Sequence, residues 1–345
     1  MKHVKLILSS LLIPALVACA SSDSKPGSEP DWVSGNSSKY SNQRYLLGRG
    51  QADDTGTAKD RARADLAKIF VVNVNVTDID KQKFSSSTAG EKTASEFSTE
   101  VSRSIVTSTD QMLKGVQIAD IWKDEKNKTV HALAVLPRQE ASHGLREEIS
   151  SLDSLTRLSI QEATNAQDLL DKVAYARRAV IAQQQRLGYQ QALRIIDPSG
   201  RGDPPEYDIA KLITDYEKLL PRVRIKPVML GENEGIVASA LPAALSSAGF
   251  SVTDSDDDAN YVMEVSLKLA ETFQKEGWYW GRGVLLMNLR NQQNVVLGQK
   301  EWPVKASARE ESEVMLRVER KADDILQKDL LPTIVGFTQV GQTTK

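Results

Sequence analysis

The sequence predicts an α+β protein: two small α/β-sandwich domains with mainly antiparallel sheets, joined by a long helical segment. Three observations carry this prediction. Two stretches, 45–136 and 223–331, mix short period-two apolar runs with helical periodicity. Between them, residues 139–196 are almost wholly helical in pattern. That run then stops at Asp197-Pro198-Ser199-Gly200-Arg201-Gly202-Asp203-Pro204-Pro205, a dense set of turn formers.

The amino terminus is read before any fold. A basic start (Lys2, His3, Lys5) precedes an apolar run from Val4 to Leu12, and Leu16-Val17-Ala18-Cys19 follows. This is a secretory signal ending in a lipobox. Residues 1–18 are then a signal peptide, cut between Ala18 and Cys19. Diacylglycerol sits on the Cys19 thiol and a fatty acyl group, such as palmitate, on its amine. Several acyl chains on one residue give stable anchoring, since each buried methylene adds roughly 0.8 kcal/mol. A signal cut after Ala20 is the alternative, because Ala18-Cys19-Ala20 also fits the small-x-small rule. Ala20, rather than aspartate, after the cysteine implies transfer to the outer membrane with the body facing the periplasm. No second apolar run approaches the roughly 20 residues that span a bilayer. Residues 19–31, rich in Ser, Asp, Gly, Pro and Lys, read as a flexible tether.

The first domain is assigned to 32–137. Tyr45 to Ala52 is a strand carrying Gly48 and Gly50, and Asp53-Asp54-Thr55-Gly56 is a turn. A helix follows from Thr57 to Phe70, with Thr57 and Asp60 as a variant capping box and Ala58, Ala62, Leu66 and Ile69 on its apolar face. Val72, Asn73, Val74, Asn75 and Val76 alternate as a half-wet strand does. Lys83 to Ser95 is a loop, and Phe97, Val101, Ile105 and Met112 suggest a second helix. Val116 to Trp122 and Thr129 to Leu136 form a hairpin. The order is β-α-β-α-β-β.

Residues 138–220 are read as a helical spacer, with the linker at 197–206. Ala163, Ala166, Leu170, Val173, Val180 and Leu187 mark an apolar seam near heptad spacing, broken by Arg177 and Gln184. A hairpin turning at Thr164-Asn165 and a coiled-coil dimer both fit it. A helix over Tyr207 to Leu219 leads into the last domain, 221–337. Its elements are a strand Val223–Leu230, a helix Ile236–Ala248 closed by Gly249, an alternating strand from Tyr261 to Leu269, a hairpin of Gly283–Arg290 with Val295–Ala306, and a helix Glu311–Leu331.

Composition narrows the chemistry. A formal net charge of −2 without a basic stripe argues against a nucleic-acid partner. After the signal, only His131 and His143 remain as histidines, and Cys19 is the sole cysteine. That is too poor a supply for the usual zinc sites or Ser-His triads. No catalytic residue, metal ligand or cofactor is assigned. His131, on a strand apolar on both faces, reads as a core or edge residue, and His143 as exposed. Gly48-Arg49-Gly50 lacks the third glycine of a dinucleotide fingerprint, and Asp53 and Asp54 would repel a pyrophosphate. Close packing explains these glycines better. Asp254-Ser255-Asp256-Asp257-Asp258 lacks the glycine and glutamate of a calcium loop and reads as a solvated turn. The Arg201-Gly202-Asp203 triplet is turn chemistry. Trp278-Tyr279-Trp280, between Gly277 and Gly281, is the candidate interaction surface, with Trp278 and Trp280 on one strand face and Tyr279 on the other. Packing across strands is the competing role.

Trp32, the Tyr45 to Ala52 strand, the alanine-rich Ala58 to Lys68 helix and the hairpin end Ala132 to Pro137 resemble the LPP-twenty lipoprotein family over residues 31–137. The family comprises bacterial envelope lipoproteins, with flagellar relatives. The resemblance implies no catalytic residues. The expected role is a non-enzymatic outer-membrane lipoprotein acting as a structural or protein-interaction module in envelope assembly, flagellar-type or other. Its expected partners are the membrane, through the acyl groups on Cys19, and envelope proteins, with peptidoglycan a further one. The rival is an envelope protein that binds or cleaves glycan with paired carboxylates such as Glu264 or Glu271. A small-ligand carrier is a third class.

Overall fold

The computed structural model describes residues 28–35, 37–74, 115–231 and 235–338. The signal, Cys19, most of the tether, the 83–95 loop and the helix expected over 97–112 lie outside the described residues.

The first domain is built on an antiparallel sheet in the order β1-β3-β2, from β1 (Tyr45–Ala52), β2 (Gln117–Asp124) and β3 (Thr129–Pro137). One sheet face carries α2 (Thr55–Val74), whose Ala58, Ala62, Leu66 and Phe70 are fully buried against Leu46, Ala132, Ala134 and Leu136. The two glycines of β1 are what bring the helix so close. A methyl on Gly48 would lie 2.3 Å from the Ala62 carbonyl oxygen, and one on Gly50 would lie 2.1 Å from that of Ala58. The other face is closed by Trp32 of the short helix α1 (Asp31–Ser34), packed with Leu133 and Val135. The register of β2 slips between Ile118 and Asp120, and the Asp120 carboxylate accepts the Trp32 indole N–H at 2.8 Å.

Two readings of this domain need correction. Helix α2 starts two residues earlier than expected, and its cap is Asp54, which accepts the Thr57 backbone N–H at 2.9 Å. Thr57 and Asp60 therefore form no capping box. The strand expected over Val72–Val76 is absent at 72–74, which continue α2. The four-residue spacing of Ala58, Ala62, Leu66 and Phe70 runs on to Val74, and this period overrides the Val-Asn alternation.

The helical segment is an antiparallel pair, α3 (Arg138–Asn165) and α4 (Leu169–Ile196), turning at 166–168. Between them lies a polar network. Arg186, only 2% exposed, donates from Nε to both Asp153 oxygens at 2.8 and 3.0 Å and from Nη2 to the Pro204 carbonyl. Gln183 donates to Asp153 and Thr156. Along α4 the expected apolar seam packs on one core: Leu170, Val173, Val180 and half-buried Leu187 all join that of the last domain, while Leu193 and Ile196, beyond the seam, enter the core of the first. Helix α4, about 42 Å long at 1.5 Å per residue, thus belongs to both. Asp197 organises the linker, accepting from Ser199 and Gly202.

After α5 (Ile209–Leu219) comes a six-stranded sheet of β4 (Arg224–Met229), β5 (Ser251–Val252), β6 (Tyr261–Leu269), β7 (Phe273–Lys275), β8 (Trp278–Asn291) and β9 (Val296–Ala308). The sheet is mixed: β4 runs parallel to both β5 and β6, and the remaining pairs are antiparallel. Helices α6 (Gly235–Ser247), α7 (Glu311–Gly336), α5 and the start of α4 all pack on one face, against Met263, Val265, Leu285, Met287, Leu289 and Val304. The Asp168 cap of α4 ties that helix to the sheet. It accepts from the Leu170 N–H at 2.8 Å, and the buried Tyr261 hydroxyl donates to it at 2.8 Å. Burial and the neighbouring Asp168 carboxylate hold the Tyr261 hydroxyl well above its usual pKa.

Candidate interaction surface

The odd-numbered residues of β8 from Gly281 to Leu289 are buried, and its even-numbered residues alternate to the sheet face opposite the helices. Strand alternation puts Trp278 and Trp280 on that open face and Tyr279 on the helix side. Strand β8 begins five residues before the Gly283 start expected for the hairpin, so the aromatic trio lies within it, with the strand-face parity that the sequence predicts. What extends it is β7, a three-residue strand paired Phe273↔Trp280 and Lys275↔Trp278. The two strands join through Glu276 and Gly277, both at positive φ (55° and 75°), as a tight two-residue hairpin requires.

Each aromatic on this face, exposed Phe273 and half-buried Trp278 and Trp280, is matched to a cation. The Lys305 ammonium lies 4.3 Å from the centre of the Trp280 ring, the Arg309 guanidinium 4.6 Å from that of Trp278, and the Arg282 guanidinium 4.7 Å from that of Phe273. Cation–ring attraction of this kind contributes about 0.5–1 kcal/mol at exposed sites. Arg282 and Lys305 are cross-strand partners, so two positive charges stand side by side. Lys268 faces Val284 beside them on β6. None of Lys268, Arg282, Lys305 and Arg309 has a carboxylate at ion-pair distance among the described residues. The Trp280 indole N–H is shielded from solvent and has no acceptor among the described residues. Val284, Leu286 and Pro303 continue the same face as half-exposed or exposed apolar ground.

Elsewhere the candidate residues are dispersed. His131 sits half-buried with its ring 5.2 Å from that of Trp122, and exposed His143 lies 3.3 Å from Glu147. Glu264 is paired with Arg290 at 3.1 Å, while Glu271 is exposed in the short link between β6 and β7. In the acidic turn, Asp256 pairs with Lys226 at 2.8 Å. Among the described residues no group of three or more His, Cys, Asp or Glu is placed to hold a metal, and no helix is long and apolar enough to cross a membrane. Phe273, Arg282, Lys305 and Arg309 were not singled out from the sequence. Arg282 shares the parity of Trp278 and Trp280, but the other three reach the patch only through strand pairing.

Residues 30–137 match the model of the LPP20 lipoprotein family. That segment, less than half of the chain, is similar to the family, and it contains the Trp32, glycine strand and hairpin end described above. Among solved structures, a secreted protein of Helicobacter pylori is 14% identical, covering 82% of this chain and 96% of its own, with a TM-score of 0.40. A minor lipoprotein of Acinetobacter baumannii is 12% identical, covering 36% of this chain and 95% of its own, with a TM-score of 0.26. Both likenesses are too distant to define function. No curated protein matches the chain.

Proposed function

We propose that this chain is a non-enzymatic outer-membrane lipoprotein that faces the periplasm, is held by acyl groups on Cys19, and docks envelope components during envelope assembly. The lipobox and the LPP20 segment support the anchoring. The observation that carries the docking role is the open face of the six-stranded sheet, where Phe273, Trp278 and Trp280 stand with cations that have no carboxylate partner among the described residues, and no described helix covers them. Residues of this type dominate recognition surfaces because they combine large area with few rotatable bonds. Tethering raises the effective concentration at the membrane, so each contact can be individually weak and still be occupied.

Two experiments test the reading. Cys19→Ala should move the protein out of the membrane fraction, and unchanged membrane association would refute the anchor. A photo-cross-linking amino acid at Phe273 should give specific adducts in intact cells that the same probe at exposed Gly144 does not. Identical adducts from both positions would refute docking through this face.

A further inference from the structure

We propose that the Phe273–Trp278–Trp280 face docks on the surface of an anionic phospholipid leaflet, giving the protein a second, non-covalent membrane contact far along the chain from Cys19. The inference rests on the docking role just assigned to this face and names its occupant.

The chemistry of the face selects an anionic partner rich in hydrogen-bond acceptors. Four cations, Lys268, Arg282, Lys305 and Arg309, gather at one end of the sheet without carboxylate partners among the described residues. Lys275 is the fifth cation there, and its neighbour Glu276 lies at 3.8 Å in the turn. Three of the five lie over aromatic rings, so bulky apolar area and positive charge are presented together. That pairing matches the bilayer interface, where tryptophan rings settle at headgroup depth and Lys and Arg reach the phosphates. The shielded Trp280 indole N–H completes the case. An unmet buried donor is unfavourable, and the phosphate and ester oxygens of a leaflet are the kind of acceptor this donor lacks among the described residues.

The geometry disfavours the two other occupants. A neutral sugar stacks on an open ring face, but here the ring faces toward solvent carry guanidinium or ammonium groups. An acidic protein must match five cations by position, whereas a leaflet of mobile anionic headgroups adjusts to any spacing. The surface also fits shallow contact: Val284, Leu286 and Pro303 continue it as a sheet face beside the charged end.

The test uses the unacylated chain from Ala20, which holds every described residue, and two kinds of vesicle: phosphatidylcholine alone, and phosphatidylcholine with about a third phosphatidylglycerol. Co-sedimentation should be at least about tenfold stronger with phosphatidylglycerol and should weaken as salt shortens the screening length. Combining Arg282→Gln, Lys305→Gln and Arg309→Gln, all on exposed side chains, should lower binding about fivefold per cation, on the order of a hundredfold together. Trp278→Phe with Trp280→Phe should reduce quenching of tryptophan emission by brominated phosphatidylglycerol. An unchanged circular-dichroism melt for each variant excludes unfolding as the cause. Equal binding to both vesicles, or equal binding by the triple variant, overturns the inference. Binding to soluble glycan strands or an acidic polypeptide without vesicle binding also overturns it, and leaves the docking role standing. Failure of the Phe273 probe to give specific adducts in cells, with vesicle binding intact, would instead strike the docking role.

Discussion

Replacing Gly50 with alanine tests the glycine strand at its tightest point. The new methyl would sit 2.1 Å from the Ala58 carbonyl oxygen and 2.3 Å from the Ala62 nitrogen, both backbone atoms of α2 that no rotamer change can move. Ordinary contact begins near 3.4 Å, so the helix must withdraw from β1 by roughly 1 Å. A radial gap of about that size forfeits a quarter to a half of each dispersion well along the interface. The interface includes Ala58, Ala62, Leu66 and Phe70, all at most 1% exposed. Overpacking of a core ordinarily costs about 1–3 kcal/mol, and a clash with backbone lies at the upper end, about 3 kcal/mol. For a cooperative unit of roughly 150–250 residues this lowers the midpoint by about 6–12 °C. Differential scanning calorimetry of Gly50→Ala reads it directly. Gly144→Ala, with nothing within 4 Å and helical surroundings, is the control and should stabilise by about 0.5–1 kcal/mol. A Gly50→Ala protein within about 0.5 kcal/mol of the parent would refute close packing as the reason for that glycine.

Other consequences can be measured in the same way. Tyr261→Phe removes the hydroxyl that donates to Asp168 and should cost about 1.5–3 kcal/mol by chemical denaturation. Because the folded state raises the pKa of this hydroxyl, its contribution is complete below the ordinary tyrosine range and is lost as pH rises beyond it. The parent should therefore lose stability in alkali more steeply than Tyr261→Phe does. Asp153→Ala should cost about 3–5 kcal/mol, since it strands the Arg186 guanidinium in the helix pair without its counter-charge; a cost below about 1 kcal/mol would show that solvent reaches Arg186. Asp54 is held below the usual carboxylate range by the Thr57 hydroxyl and then by its amide, so its cap stabilises above that range and is lost on acidification. Asp54→Asn should keep the cap while flattening the acid side of the stability profile, and an unaltered profile would contradict this.

Much of the fold was legible because it rests on local periodicity. Tyr45–Ala52 and Tyr261–Leu269 were read to the residue, since alternation or flanking turns bounded each. The helices between 138 and 196 were evident from their apolar spacing, although the turn falls just past Asn165. What escaped depends on partners distant in sequence. The two-residue β5 and three-residue β7 exist only through pairing, and too few residues carry their pattern. The parallel placement of β4 beside β6 is a topological fact without a local signature. The surface was half legible. Trp278 and Trp280 could be assigned one face by parity, but Phe273, Lys305 and Arg309 reach them across strands. The Val72–Val76 stretch misled because β-branched alternation competed with a helix whose four-residue spacing had not yet ended.

Helix α4 has one more consequence, for where this protein can be cut. Its end supplies Leu193 and Ile196 to the family domain, and its start supplies Leu170 and Val173 to the other core. Arg138 reinforces the join by donating to the Ile195 and Ile196 carbonyls and to that of Asn42. A fragment ending at Pro137, the border of the family match, therefore loses a wall of its own core, and a fragment starting after Ile196 loses the other. The border drawn by sequence similarity is not a border of stability. Any dissection that keeps one half native must carry α3 and α4 with it, and the same shared helix makes deletion or exchange of either module costly to the one left behind.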